Sequence, residues 1–380
     1  MSRADLARHL GLTRSTTSSI IGNLLAEGLV TERPIQRQQD SRTGRPGITV
    51  ELERNGSSFI GAEIGVDRLT VVAVDLQGRI IAKRSSSYPT ASHTPGQATD
   101  ELCGMISDLV SLLPARTRVR GLAVAIPALI AGDHLRSAAL IGWSNVPLAS
   151  LLRQRLPPSL DGDVPILIEN DANAFAMAET YSGTSGRSDT VAFFLIESGA
   201  GGGIVTGGRL FRGANGVAGE FGHLPVQCGR GGAGASTSHR LEHRIGKSGV
   251  LRSYGAAVGS PVTLDDLFGA LERRDDAACK VAAEWGRWLA CGLVYIVNII
   301  DPGLVIIGGS VGAIFGYVGH VVEAELQRQL SPAQLAPRIE LSRFGDEGAA
   351  FGGAFLIHQR MFSIDEAVFP SDLIKVPPPS

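Results

Sequence analysis

The chain has 380 residues, 44% hydrophobic and 19% charged, with 35 lysines and arginines against 37 acidic side chains. That composition excludes wholesale disorder and fibrous architectures, and a formal charge of −2 excludes a generally basic nucleic-acid coat, though not a local basic patch. A single hydrophobic core stops growing near ~250–300 residues, so two or three folding units are expected.

Forty-eight glycines, about 13% against the usual ~7%, follow no Gly-X-Y period and mark turns and close approaches. Cys103, Cys228, Cys279 and Cys291 form neither a CxxC pair nor a secreted-type framework, which suits a reducing cytoplasm. The N-terminus lacks an apolar signal core, and no run of about 18 apolar residues occurs. The longest apolar stretch, 289–300, contains Asn298 and precedes Asp301-Pro302, so it reads as a buried helix and membrane functions drop out.

Residues 1–56 differ from the rest. They hold eight arginines, no lysine and six acids, a net charge of +2, so the remainder carries −4. Leu6, Ala7 and Leu10 recur at helical spacing, Gly11 breaks the pattern, and a second helical period runs through Ile20, Ile21, Leu24 and Leu25 to Gly28. Ala7 followed four places on by Gly11 suits a helix-turn-helix, because a small residue lets the helices approach and glycine takes a positive φ. Thr13 is a good N-cap for the second helix, whose Arg14, Ser15, Thr16, Ser18 and Ser19 suit base edges and phosphates in a major groove. An ordinary helical hairpin with a solvated face would show the same two-helix pattern.

Two alternating segments, 30–36 and 47–53, flank a tip bearing Arg37, Arg42 and Arg45, which reads as a wing. Gly44-Arg45-Pro46 suits an extended arm in the minor groove of A·T-rich DNA, and a plain linker is the alternative. Winged modules usually carry another helix ahead of these two, so a truncated first helix and an upstream start are expected.

From Ile60 the chain reads as a β-meander whose second strand ends at Asp75 and turns at Gln77-Gly78 into a third. A helix near 95–114, a buried strand over 118–126, a strand over 165–170 and a helix over 171–180 follow. A second series opens with strands over 190–213. It closes with helices around 281–300, a strand over 304–311 and a helix over 348–361, implying two similar α/β lobes.

Four motifs stand in order: Glu169-Asn170-Asp171-Ala172-Asn173, the glycine run from Gly199 to Gly203, Gly219-Glu220-Phe221-Gly222-His223, and Asp301-Pro302 leading to Gly308-Gly309. Together they resemble the ROK family of repressors, uncharacterised reading frames and sugar kinases, within the actin-like ATPase superfamily, over essentially the whole chain. The arginine-tipped wing resembles the repressor branch. The resemblance implies an α/β protein: a winged helix-turn-helix over 1–56, then a two-lobed actin-like ATPase (ribonuclease H-like) sugar-kinase fold. Its N-terminal lobe would span 57–172 and its C-terminal lobe 173–380, with the last helix packing back on the first lobe.

By the same resemblance, Asn170 and Asp171 reach sugar hydroxyls at the cleft between lobes, Asp171 standing at the kinase base. Glu220 and His223 match a second sugar-contacting pair, and Asn145 an upstream contact. A carboxylate suits deprotonation of an attacking hydroxyl and also accepts two hydrogen bonds from a polyol. Helix capping by Asn170-Asp171 and a satisfied core histidine at His223 are the plainer readings. A last sugar-contacting glutamate falls at Ala235 on strict spacing, or at Glu242 if seven residues are inserted, the choice favoured here.

The phosphate turns depart from the kinases. Where they read Asp-x-Gly-Gly-Thr-Lys, this chain has Glu63-Ile64-Gly65-Val66-Asp67-Arg68, and the second loop begins Glu197-Ser198-Gly199. At ~4 Å and an effective dielectric near 20, Asp67 and Glu197 would each oppose a phosphate charge by about 4 kcal/mol. Poor nucleotide binding is expected, so no catalytic residue and no cofactor. The family's zinc site needs a histidine and three cysteines; only His223 and Cys228 remain, Val226 and Ala233 standing at the outer thiolates, so no metal is expected. His239 and His243 are near enough in sequence to substitute.

The main reading is a repressor that binds operator DNA as a homodimer or homotetramer and senses a sugar or sugar phosphate, with an inverted-repeat operator. An ATP-dependent, glucokinase-like sugar kinase is the alternative, and control by a protein partner a third.

Overall fold

A computed structural model describes residues 1–34, 48–157, 160, 164–183, 189–226 and 239–362. Arg37, Arg42, Arg45, Cys228, Ala233 and Ala235 lie outside the described residues.

The chain opens with two helices. α1 (Arg3–Leu10) starts in a Ser2–Asp5 capping box and ends at Gly11, whose φ of +65° is the left-handed turn expected there. α2 (Arg14–Ala26) starts at Thr13, whose hydroxyl accepts the Thr16 N–H. Ala7, Thr17 and Ile21 are buried in this small unit. β1 (Val30–Pro34) and β2 (Ile48–Leu52) pair antiparallel, and Arg3 Nε donates to Glu32 Oε1 at 2.6 Å, tying α1 to β1.

Two five-stranded sheets follow with the same topology. β3 (Ser57–Ile64), β4 (Arg68–Asp75) and β5 (Ile80–Ser87) form an antiparallel meander. After α3 (Pro95–Ser111), β6 (Arg118–Ile126) adds parallel to β3. A small antiparallel sheet, β7 (Leu129–Ala131), β8 (His134–Ala138) and β9 (Trp143–Val146), then leads through α4 (Leu148–Arg155) to β10 (Ile166–Asn170), parallel to β6. α5 (Asp171–Tyr181) connects to β11 (Thr190–Ile196), β12 (Ala200–Thr206) and β13 (Arg209–Leu210), a second meander.

β14 (Pro225–Val226) pairs with β15 (His239–Arg240) ahead of four helices: α6 (Glu242–Ile245), α7 (Lys247–Val258), α8 (Leu264–Glu272) and α9 (Asp276–Ile300). β16 (Leu304–Gly308), α10 (Phe315–Gln329), β17 (Arg338–Leu341) and α11 (Gly348–Phe362) complete the chain, with β16 and β17 parallel to β11. Read from the meander edge, the orders are β5-β4-β3-β6-β10 and β13-β12-β11-β16-β17.

Three cores result. One lies between the first sheet and α3 and α4, and one between the second sheet and α7 to α10. The third joins both sheets through α5 and α11, holding Phe59, Ala123, Phe175, Phe193, Ile306 and Phe355. The central strands are apolar on both faces, as strands covered by helices on each side must be. α9 is buried along one face only, since Tyr295 and Ile299 are exposed. Among the described residues Cys103 is a buried free thiol and Cys279 an exposed one. Among the described residues no helix is long and apolar enough to cross a membrane.

Candidate functional site

The two meanders place their first turns face to face. The β3–β4 turn, the carboxyl end of β6, the β10–α5 junction, the β11–β12 turn and the segments around Glu220 and Glu242 line a cleft of about 840 Å³. A crevice at the carboxyl ends of parallel strands, within the ~300–1,000 Å³ of small-molecule sites, is where an α/β protein holds a ligand.

Asn170 serves the plainer role first. It is the N-cap of α5, its Oδ1 accepting the Asn173 N–H at 3.1 Å, while its Nδ2 donates to the Ala128 carbonyl at 3.4 Å. It also lines the cleft. Glu169, buried behind it, accepts from the Asn170 N–H (2.9 Å) and Asn173 Nδ2 (3.0 Å), and takes Arg212 Nη2 at 2.5 Å. Asp171 is thereby fixed at the helix start and lines the cleft, with Oδ1 accepting the Ala172 N–H at 2.8 Å. Burial, against that N–H and reinforced by the Glu197 and Glu220 charges, pushes its carboxyl up to about 6.

Opposite, two glutamates flank a histidine. His223 Nδ1 lies 3.8 Å from Glu220 Oε2, and its Nε2 3.6 Å from Glu242 Oε1. Glu220 is held above the ordinary carboxyl range by burial; His223 opposes the rise and Glu242 adds to it. Glu242, chosen over Ala235 by allowing an insertion, is thus brought beside His223. It also lies 3.7 Å from Arg240 Nη1 and 3.9 Å from His243 Nε2. Among the described residues no group of His, Cys, Asp and Glu is arranged to hold a metal ion. Asn145 is not brought in: it sits exposed in β9 at φ +52°, and Ala139 and Leu140, in the turn between β8 and β9, supply the wall there instead.

At the other end of the cleft the two altered turns meet. Arg68 Nη2 of the first lies 3.4 Å from Glu197 Oε1 of the second, with Glu63 Oε2 4.0 Å from its Nε. Glu197 also accepts the Ser310 N–H at 2.9 Å and its hydroxyl at 2.8 Å. Lys247 Nζ reaches back to Asp67 Oδ2 at 2.7 Å. The expectation that Asp67 and Glu197 present bare negative charge is therefore corrected: each faces a cation across the cleft, so much of the repulsion is neutralised at short range and the turns are linked to each other. The glycine run has a packing role as well. A Cβ at Gly201 or Gly203 would lie 2.9 Å and 2.7 Å from the Cβ atoms of Ala172 and Ala176 on α5, and one at Gly202 2.1 Å from Phe221.

On the head, Arg14, Ser15, Thr16, Ser18 and Ser19 are all exposed. The Thr13 hydroxyl lies 2.9 Å from that of Ser15 and 2.8 Å from that of Thr16, gathering three hydroxyls at the positive pole of α2. Sequence reasoning missed Arg212, Lys247 and Ser310, whose partners lie 43, 180 and 113 residues away along the chain. Arg68 carried a signal, adjoining Asp67 in an altered turn.

A sequence profile described as the ROK family matches residues 59–360. The chain is 27% identical over 373 residues to the xylose repressor of Bacillus spizizenii, covering 96% of this chain and 92% of that one. It is 28% identical over 316 residues to the N-acetyl-D-glucosamine kinase of Citrobacter koseri, covering 78% and 98%. Among solved structures, a ROK family transcriptional regulator described as a homologue of the Escherichia coli MLC protein superposes with a TM-score of 0.74 at 22% identity, covering 94% of this chain and 91% of that one.

Proposed function

This chain belongs to the ROK family, and from that premise we propose that it is a sugar-responsive transcriptional repressor with no kinase activity. It would act in the cytoplasm as a homodimer or homotetramer on an inverted-repeat operator. Residues 1–56 would be the reading head, 57–172 and 173–380 the two lobes. Arg14, Ser15, Thr16, Ser18 and Ser19 on α2 would read DNA, with Arg42 and Arg45 as the wing's contribution. The observation that carries this reading over the kinase is the pairing of Arg68 with Glu197 and Lys247 with Asp67. Groups that would meet a nucleotide's phosphates and magnesium are already engaged with each other. The repressor similarity supports the same choice, because a match over 96% of the chain takes in most of the head, whereas the kinase match stops at 78%.

The effector would lie against Asn170, Asp171, Glu220, His223 and Glu242. Three carboxylates and one histidine lining the same cleft offer acceptors to hydroxyl donors and little to a phosphate, which favours an uncharged sugar over a sugar phosphate. D-xylose heads the panel to test. Saturating sugar at 100-fold its Kd stabilises the fold by about 2.7 kcal/mol, so one sugar should raise the melting temperature by several degrees, while Mg-ATP does not. Asp171→Asn should abolish that shift and leave binding to the DNA upstream of the chain's own gene intact. Sugar-dependent ATP turnover near ~1–100 s⁻¹ would establish the kinase instead.

A further inference from the structure

The joint between head and body is built on one strand. α2 ends in a Schellman turn: Leu29 N–H donates to the Leu24 carbonyl (2.9 Å), and Gly28 N–H, at φ +70°, to that of Leu25 (3.1 Å). The Glu27 carbonyl, at the negative pole of the helix, turns to the body, where Arg120 Nη2 donates to it at 2.7 Å. Arg120 Nε donates to Ser57 Oγ at 3.0 Å, so the guanidinium is clamped between the first residue of β3 and the cap of α2. Arg120 is placed for this by a β-bulge. The β3–β6 pairing jumps from Ser58↔Val119 to Ile60↔Leu122, leaving Arg120 and Gly121 opposite Phe59 alone. A Cβ at Gly121 would lie 2.4 Å from Ile357 of α11, which holds the bulge against the helix. Leu29 is buried in the same core as Phe59 and Phe355.

The far end of β6 is the cleft. Pro127, Ala128 and Leu129 line it, the Ala128 carbonyl accepts from Asn170 Nδ2, and Ile126 is in register with Asn170. Six residues at ~3.3 Å put Arg120 about 20 Å from that end. We propose that Arg120 is a positioning residue that couples the effector cleft to the DNA-reading helix. β6 is the strut, the Arg120-Gly121 bulge its point of articulation, and the Glu27 carbonyl the contact through which α2 is held or released. Asn170 carries both a cleft wall and the bond to Ala128, so a ligand that draws on Asn170 acts on the strut directly. This inference rests on the repressor reading and goes beyond it by naming the linkage.

The test uses the full chain, with operator affinity measured by fluorescence anisotropy on the DNA upstream of its own gene, without and with D-xylose or the panel sugar giving the largest thermal shift. Allosteric factors are commonly ~5–150-fold. Arg120→Ala should leave the sugar Kd and the sugar-free operator Kd within about threefold of wild type and cut the sugar's effect on operator affinity to under a third. Arg120→Lys, with one compact ammonium, should restore part of it. An undiminished sugar effect in Arg120→Ala would overturn the inference alone. A wild type that binds no sugar, or whose operator affinity ignores sugar, would overturn the repressor reading and this linkage with it. If Arg120→Ala melts early or loses the operator outright, Ser57→Ala takes its place: it removes one anchor of the guanidinium, and a reduced sugar effect supports the linkage while an unchanged one overturns it.

Discussion

Asp171 is the proposed sugar acceptor in the cleft, and its raised carboxyl gives that proposal a pH signature. A group pushed up to about 6 in the folded protein is ionised at neutral pH and protonated below that value. The ionised form accepts two hydroxyl hydrogen bonds and the protonated form fewer, so sugar affinity should be flat above pH 7 and weaken by up to about tenfold per unit below pH 6. For folding the sign is opposite. The unfolded carboxyl holds its proton less tightly, so Asp171 favours the fold at low pH and loses that contribution as pH rises through about 6. Titration calorimetry from pH 5 to 8 checks the binding half: a sugar affinity that stays constant below pH 6 would mean that the ionised carboxyl does not hold the sugar. Of the residues named from sequence, Asn170, Asp171, Glu220, His223 and Glu242 share the cleft, while Asn145 does not. The difference is one of local geometry: a motif fixes residue order, but the turn after β8 decides that Ala139 and Leu140 face inward.

At the level of elements, α5 joins the site to the glycine run. Its first residue is Asp171, and its Ala172 and Ala176 lie against β12 so closely that Gly201 and Gly203 leave no room for a Cβ. A phosphate loop and a close-packed strand ask for the same residue, which is why the run cannot be assigned from sequence alone. Gly203→Ala separates the two. Overpacking at 2.7 Å should cost about 1–3 kcal/mol and lower the melting temperature by several degrees with no ligand present. Calorimetry showing an unchanged transition would mean that β12 has slack and the glycine answers another need. The strands β3, β4, β6, β10, β11 and β16 and the helices α3, α5 and α11 were legible, because their apolar runs are bounded by turn residues, whereas β7 to β9, α4, α7, α8, α10 and β17 carry weaker local patterns and were not read.

Across the whole molecule, two ion pairs tie the β3–β4 turn over the cleft, one to the β11–β12 turn and one to the start of α7. Both are partly exposed, so each contributes on the order of 0.2–1 kcal/mol. Lys247→Glu would set two carboxylates together, and small-angle scattering should then show a larger radius of gyration at low salt, converging on wild type as salt rises. The swapped pair Asp67→Lys with Lys247→Asp should restore compactness; failure to do so would mean that the lobe spacing is set by the core around α5 and α11 instead. Sequence by itself determined the two opening helices, the repeated α/β lobes, the family motifs and the identity of the altered turns, since each depends on residues close together in the chain. Only the tertiary structure decided what those changes mean. Asp67 and Glu197 read as repulsive acids until the fold brings Lys247 and Arg68 to them, and Arg120 reads as one more strand residue until β6 delivers it to the end of α2. Long-range charge pairing leaves no period or spacing in a sequence, so it becomes visible only when the chain has closed on itself.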